Sequence, residues 1–146
     1  MQVKRFLDAV ESERVVSAIR AAEARSSGEI RVHVTSRTLD DVEKAAAAQF
    51  EALGMTNTRE RNGVLIYIAP SSQKLAVLGD RSIHARCGTD FWRAVVSAMS
   101  DDFRAGRFTD GIVKGVAATG EVLAAHFPRS TDCPDVNELP DQVSED

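Results

Sequence analysis

Apolar positions fall in two rhythms along this chain, and the change of rhythm marks out its elements. Val15, Val16, Ile19 and Ala22 recur at helical spacing, which predicts an amphipathic first helix. Asp8 and Glu11, three apart, resemble a capping box at its start, Phe6 and Leu7 can staple the entry, and Ser26-Ser27-Gly28 ends it. From Glu29 the period becomes two. Ile30, Val32 and Val34 alternate with Glu29, Arg31, His33 and Thr35, which predicts a strand with His33 on its outward face. Helical spacing returns with Val42, Ala45, Ala46, Phe50 and Leu53, capped by Thr38 or Asp40 and stopped by Gly54.

Gly63 to Ala69, GVLIYIA, is apolar without a break. Such a run suits a strand covered on both faces. Pro70 to Gln73 is a turn, and Lys74 to Asp80 a third strand. That link is too short for a crossover, so strands two and three are expected antiparallel. Strands one and two are joined through a helix and are expected parallel. Asp80 to Gly88 reads as a short irregular or helical piece. Thr89 or Asp90 then opens a helix with Trp92, Val95, Val96, Met99 and Phe103 on one side. After a break at Ala105-Gly106-Arg107, Thr109 and Asp110 open the last helix, which carries Ile112, Val116, Leu123 and Phe127. Gly111, Gly115 and Gly120 lie along it, each costing about 1 kcal/mol against alanine, so close packing against a neighbour is expected there. Pro128 stops it.

The order is α-β-α-β-β-α-α: an α/β domain with a small mixed sheet and helices on both faces. With 146 residues one domain with its own core is expected, spanning residues 1–127. Residues 128–146 read as a mobile, acidic, proline-containing tail, in which Leu139 and Val143 are the residues able to dock. From Pro128 onward six acids stand against the single base Arg129, while the whole chain carries −4, so the body is nearly neutral. That gives no electrostatic reason to expect a nucleic-acid partner. No apolar run approaches the roughly 18–20 residues of a membrane span. The charged N-terminus is unlike a signal peptide, so the cytoplasm is the expected compartment. Cys87 and Cys133 are expected as free thiols, and there is no CxxC pair for zinc.

Topology nominates the candidate chemistry. Strands one and two end near Thr35-Ser36 and Ala69-Pro70, where α/β sheets commonly bind ligands, and Lys74 joins that edge. The opposite edge receives Glu29, Asn62, Gly63 and Asp80. Oxygen donors from Glu29, Asn62 and Asp80 would suit Ca²⁺ or Mg²⁺. The plainer readings are that Glu29 pairs with an arginine or water, and that Asp80 caps the segment after it. His84 follows Asp80 by four residues; on a helix the two would share a face, with His84 as a proton donor or nucleophile, or simply as a histidine held by Asp80. Arg59, Arg61, Arg81 and Arg86 could gather into an anion patch or lie scattered. Asp110 suits the dipole of its helix's first turn, and His126 that of the last. No CxxxxxR loop, DxDx[TV] motif or GxxxxGK[ST] loop is present, which argues against efficient phosphoryl transfer.

The element order, taken with SSGEIRVHV, NGVLIYIAP, LAVLGD and the stretch from Phe91 to Phe127, resembles the TPM-domain family of thylakoid photosystem-repair proteins and bacterial relatives. The strongest motifs are Ser27-Gly28-Glu29-Ile30, Asn62-Gly63-Val64-Leu65-Ile66 and Gly79-Asp80. The resemblance covers about Phe6 to Phe127. It implies a Rossmann-like sandwich, a weak acid-phosphatase activity reported for plant members, and divalent-metal binding, calcium included, in some. Many bacterial relatives carry a signal peptide, a membrane anchor and a glycine-rich stretch after the third strand. Here that stretch is Gly79-Asp80-Arg81-Ser82-Ile83-His84, so the metal residues of other branches do not transfer automatically. The expected role is a binding or accessory module in protein quality control or repair, with an unidentified protein partner. The alternatives are a weak metal-dependent acid phosphatase using Asp80 and His84, and an interaction module regulated by its acidic tail.

Overall fold

The structure, a computed structural model, describes residues 2–129 and 143–146. Two helices open the chain, α1 (Val3–Ala9) and α2 (Ser12–Ala24). They are followed by β1 (Glu29–Val34), α3 (Val42–Ala52), β2 (Gly63–Ala69), β3 (Lys74–Gly79), α4 (Arg81–Arg104), α5 (Phe108–His126) and a two-residue strand β4 (Ser144–Glu145). The sheet order is β3-β2-β1-β4. β1 and β2 run parallel, with Glu29 opposite Gly63. β2 and β3 form an antiparallel hairpin, with Val64 opposite Gly79. Both pairings match the sequence expectation.

The sheet is covered on both faces, as the unbroken apolar run of β2 requires. Ile30, Val32, Val34, Val64, Ile66 and Ile68 join one core with Val15, Ile19, Val95, Met99, Ile112 and Val116 of the helices. Leu65, Tyr67, Ala69 and Ala76 point the other way and meet Ala46 and Phe50 of α3. Each such large side chain contributes roughly 1.5–3 kcal/mol on burial. The three glycines of α5 behave as expected. A Cβ on Gly120 would stand 2.6 Å from that of Ala22 on α2, and one on Gly111 2.7 Å from the Phe103 ring. On Gly115 it would land on Met99 Sδ.

Three local expectations are corrected. The first helix is two helices: Asp8 lies inside α1, Val10 is extended, and Glu11 caps α2 without a side-chain bond. Tertiary contacts explain the break. The Glu11 amide donates to Thr109 Oγ1 at 3.0 Å, while Phe6 is buried with its ring 5.0 Å from that of Phe108. Asp41, rather than Thr38 or Asp40, caps α3, accepting the Lys44 amide at 3.1 Å. His33 does not face outward to solvent. It is 2% exposed, stacked on Tyr67 with centroids 5.6 Å apart, because the second face of the sheet is covered too. The helical piece after Asp80 and the helix carrying Trp92 meet, as the sequence reading has it, at Gly88, a kink within α4 where φ is 77° and ψ 172°, a conformation that favours glycine.

Residues 128–146 were expected as a tail. Pro128 bridges to Ser26, and the Arg129 amide donates to the Arg25 carbonyl at 3.4 Å. Residues 130–142, Cys133 and Leu139 among them, lie outside the described residues. Val143 packs against the main core. Ser144 and Glu145 pair parallel to His33 and Val34, and the Asp146 amide donates to the Val34 carbonyl at 3.2 Å.

Candidate functional site

The polar edge nominated by topology exists, and it is organised by Arg61. The chain enters β2 through Arg61 in the left-handed region, φ 53°, which turns its side chain toward the end of β3. There it meets Asp80, 6% exposed. Arg61 Nε donates to Asp80 Oδ2 at 2.7 Å, and Nη2 to Oδ1 at 3.0 Å, the bidentate geometry that matches a guanidinium to a carboxylate. Asp80 Oδ1 also accepts the Arg81 amide at 2.7 Å, so the same carboxylate caps α4. Backbone bonds lock the arrangement. The Asp80 amide donates to the Gly63 carbonyl at 2.8 Å, and the Ser82 amide to the Arg61 carbonyl at 3.1 Å.

Beside this pair lies a second set of polar groups. Asn62, 1% exposed, donates through Nδ2 to Ser27 Oγ at 3.1 Å and to Glu60 Oε2 at 3.4 Å. Ser27 Oγ in turn donates to Glu60. Glu29 is buried at the start of β1, in register with Gly63. The structure thus brings Glu29, Asn62 and Asp80 to one edge of the sheet. As arranged, however, they do not fit a divalent cation: both Asp80 oxygens face a guanidinium. Among the described residues no group of three or more His, Cys, Asp or Glu side chains is placed to hold a metal ion.

His84 takes a different direction from the one that acid chemistry with Asp80 would need. Its Nδ1 accepts the Trp92 Nε1–H at 3.0 Å across the Gly88 kink, while its amide makes the helical bond to the Asp80 carbonyl at 2.9 Å. Cys87 donates its thiol to the Ile83 carbonyl at 3.1 Å, and burial pushes its pKa up, the opposite of an activated thiolate. Of the arginines, Arg61 is committed to Asp80, and Asp110 holds Arg14 at 2.9 Å across to α2.

Sequence reasoning passed over Asp102. It is 4% exposed at the end of α4 and holds two cations. Lys114 Nζ lies 2.9 Å from Oδ2, and Arg107 donates to Oδ1 from Nη2 at 2.9 Å and from Nε at 3.1 Å. Lys114, then Arg107, keep its carboxyl below the ordinary range. The signal was an acid placed before the Ala105-Gly106-Arg107 break with bases beyond it. This is a clamp on the α4–α5 corner.

These features define a mixed-sheet α/β sandwich whose polar edge is closed on itself by ion pairing. The sequence matches the family model described as TPM domain over residues 2–122, and the chain belongs to the TPM-domain family. Among solved structures it is similar to the BA42 protein of the psychrophilic bacterium Bizionia argentinensis, at 39% identity and a TM-score of 0.84, with 93% of this chain and 92% of that one covered. It is also similar to the N-terminal domain of a P. gingivalis protein, at 21% identity and a TM-score of 0.61, covering 78% of this chain and 76% of that one; this second likeness shows the fold alone. Nothing matches among the curated proteins. No helix among the described residues is long and apolar enough to cross a membrane.

Proposed function

We propose that this TPM domain is a binding or accessory module rather than an enzyme, serving protein quality control or repair as the family resemblance suggests. The observation that carries the reading is the full engagement of Asp80. Its oxygens accept three bonds, from Arg61 and from the Arg81 amide. A metal-dependent phosphatase needs that carboxylate on a cation and a proton donor aimed at the same point. His84 instead accepts from Trp92.

The second reading, a cation site, is favoured by the burial of Glu29 and Asn62 on the same edge as Asp80. Here Ca²⁺ or Mg²⁺ would replace the Arg61 guanidinium on Asp80, beside Glu29 and Asn62. The test is hydrolysis of a chromogenic phosphate ester with and without Mg²⁺ and Ca²⁺, together with thermal unfolding in the same ions, for wild type, Asp80→Ala and Arg61→Ala. The module reading expects no turnover above the buffer blank and no ion-dependent stabilisation. Turnover that falls by orders of magnitude in Asp80→Ala overturns it. Stabilisation by an ion that is lost in Asp80→Ala and strengthened in Arg61→Ala selects the cation reading.

A further inference from the structure

β1 and residues 143–146 meet through more than backbone. Ser144 and Glu145 run parallel to the carboxyl-terminal end of β1, at His33 and Val34. The Asp146 amide donates to the Val34 carbonyl at 3.2 Å, and the Ser36 amide to the Asp146 carbonyl at 3.1 Å. Among the described residues this pairing covers two of the strand's six positions. Nearer the start of β1 the Ile30 amide is held by a side chain instead, Glu23 Oε2 at 2.9 Å.

Successive side chains of an extended segment point to opposite sides, and the two sides are read differently here. Val143 packs against the main core. Ser144 and Asp146 both turn to His33: the hydroxyl Oγ lies 2.7 Å from Nδ1, and Asp146 Oδ1 lies 3.4 Å from Nε2. Arg31 Nε donates to the same hydroxyl at 3.4 Å. A neutral imidazole suits both neighbours, accepting the hydroxyl proton at Nδ1 and turning Nε2–H toward the carboxylate. Glu145, between them, is exposed.

The grip is particular in pattern but short. A two-residue strand makes few bonds, the Asp146 side chain is partly exposed, and segments held in this way open at low free-energy cost. The seat does not depend on them. β1 is paired along its whole length with β2, and the His33 ring is fixed by its stack on Tyr67. A strand arriving here meets backbone groups, an imidazole and a guanidinium already in place, the elements of recognition by strand addition.

We propose that this end of the β1 edge docks an extended segment of a partner protein, added parallel to β1, with the pattern apolar, Ser or Thr, any residue, Asp or Glu, and that residues 143–146 occupy the seat in its absence. The chain's own Val-Ser-Glu-Asp shows which chemistry fits. The apolar residue goes to the core side, and the hydroxyl and acid, two apart, go to His33 and Arg31. A basic residue in either polar position would face the Arg31 guanidinium and be repelled. This inference rests on the reading of the domain as a binding module and names the class of partner.

The test is titration of the full chain with the acetylated peptide DQVSED, the sequence of residues 141–146, followed by amide chemical shifts. In wild type the tethered segment competes at high effective concentration. The double variant Ser144→Ala with Asp146→Ala weakens that competitor and should bind the peptide at least tenfold more tightly than wild type, with shifts centred on residues 30–36. Asp146→Ala alone is milder and should fall between them. In the double variant, adding His33→Gln, or replacing the peptide's serine by alanine, should each weaken binding about tenfold, one hydrogen bond's worth of affinity. A peptide of the same composition with serine and the last aspartate adjacent should not bind. No binding to a natively folded double or single variant, shifts on another surface, or equal binding of the reordered peptide overturns the proposal. So does a wild-type dimer that the peptide dissociates, which would assign the edge to exchange between copies. Phosphate-ester turnover bears on the module reading alone; no turnover together with no peptide binding would leave that reading standing and remove this one.

Discussion

Arg61 and Asp80 are joined at both ends of the guanidinium fork, 2.7 Å and 3.0 Å, yet they differ in exposure. The arginine side chain is 31% exposed and the aspartate 5%. Removing one partner therefore has unequal consequences. Loss of Arg61 strands a buried carboxylate, whereas loss of Asp80 leaves a guanidinium that can reach water but removes the α4 cap. Arg61→Met and Asp80→Ala are each expected to lower the urea midpoint. The double variant should lose clearly less than the two losses added together. A double-mutant cycle reads this coupling; strict additivity would mean that the pair contributes nothing.

The contact between α2 and α5 depends on Gly120. A methyl there would stand 2.6 Å from Ala22 Cβ and 3.4 Å from Ala22 Cα, and neither atom can move without moving its helix. Gly120→Ala should therefore destabilise by about 1–3 kcal/mol as an overpacking change, even though alanine is the better helix former by about 1 kcal/mol. Chemical denaturation measures it. A gain in stability would show that the helices separate freely.

His33 makes stability depend on pH. Burial lowers its pKa below the ordinary 6.5, against a smaller opposing pull from Asp146; Glu145 also raises it and Arg31 lowers it. The unfolded chain therefore takes up the proton more readily than the folded one. The stability contributed by the neutral ring is complete above about pH 6.5 and is lost as pH falls below that value. Urea midpoints from pH 8 to 5 should decline for wild type, and His33→Gln should flatten this part of the curve. An unchanged decline in the variant would assign the effect to other groups.

Ser144 fastens β4 through its side chain. Its Oγ lies 2.7 Å from His33 Nδ1, accepts from Arg31 Nε at 3.4 Å and donates to the Val32 carbonyl at 3.3 Å. Ser144→Ala should cost roughly 1 kcal/mol and speed hydrogen exchange at the Ser36 amide, which donates to the Asp146 carbonyl at 3.1 Å. Unaltered exchange at Ser36 would mean that the backbone ladder alone holds the strand.

The sheet was legible because period and link length suffice for it. GVLIYIA reads as an inner strand, and a four-residue link forces a hairpin. The shared edge of Glu29, Asn62 and Asp80 followed from topology. Its internal pairing did not, because it depends on the left-handed backbone at Arg61, which side-chain pattern does not encode. His33 was misjudged for a related reason. Alternation shows which residues share a face, not whether that face has a cover. β4 has two residues and therefore no period to read, and it forms only because β1 offers an edge. The break between α1 and α2 is likewise set by partners distant in sequence, Thr109 and Phe108.

An unguarded β1 would present a run that is buried at five of its six positions, beside open backbone donors and acceptors, the kind of surface on which another chain can template. Residues 144–146 pair with the carboxyl-terminal end of that edge, at His33 and Val34, and bring Glu145 and Asp146 with them. A strand approaching from outside must therefore displace a backbone already paired there and come up against two acids. Removing residues 144–146 would leave that part of the edge open to pairing with another copy, and the loss would show first as turbidity in concentrated solutions rather than as a lower melting temperature.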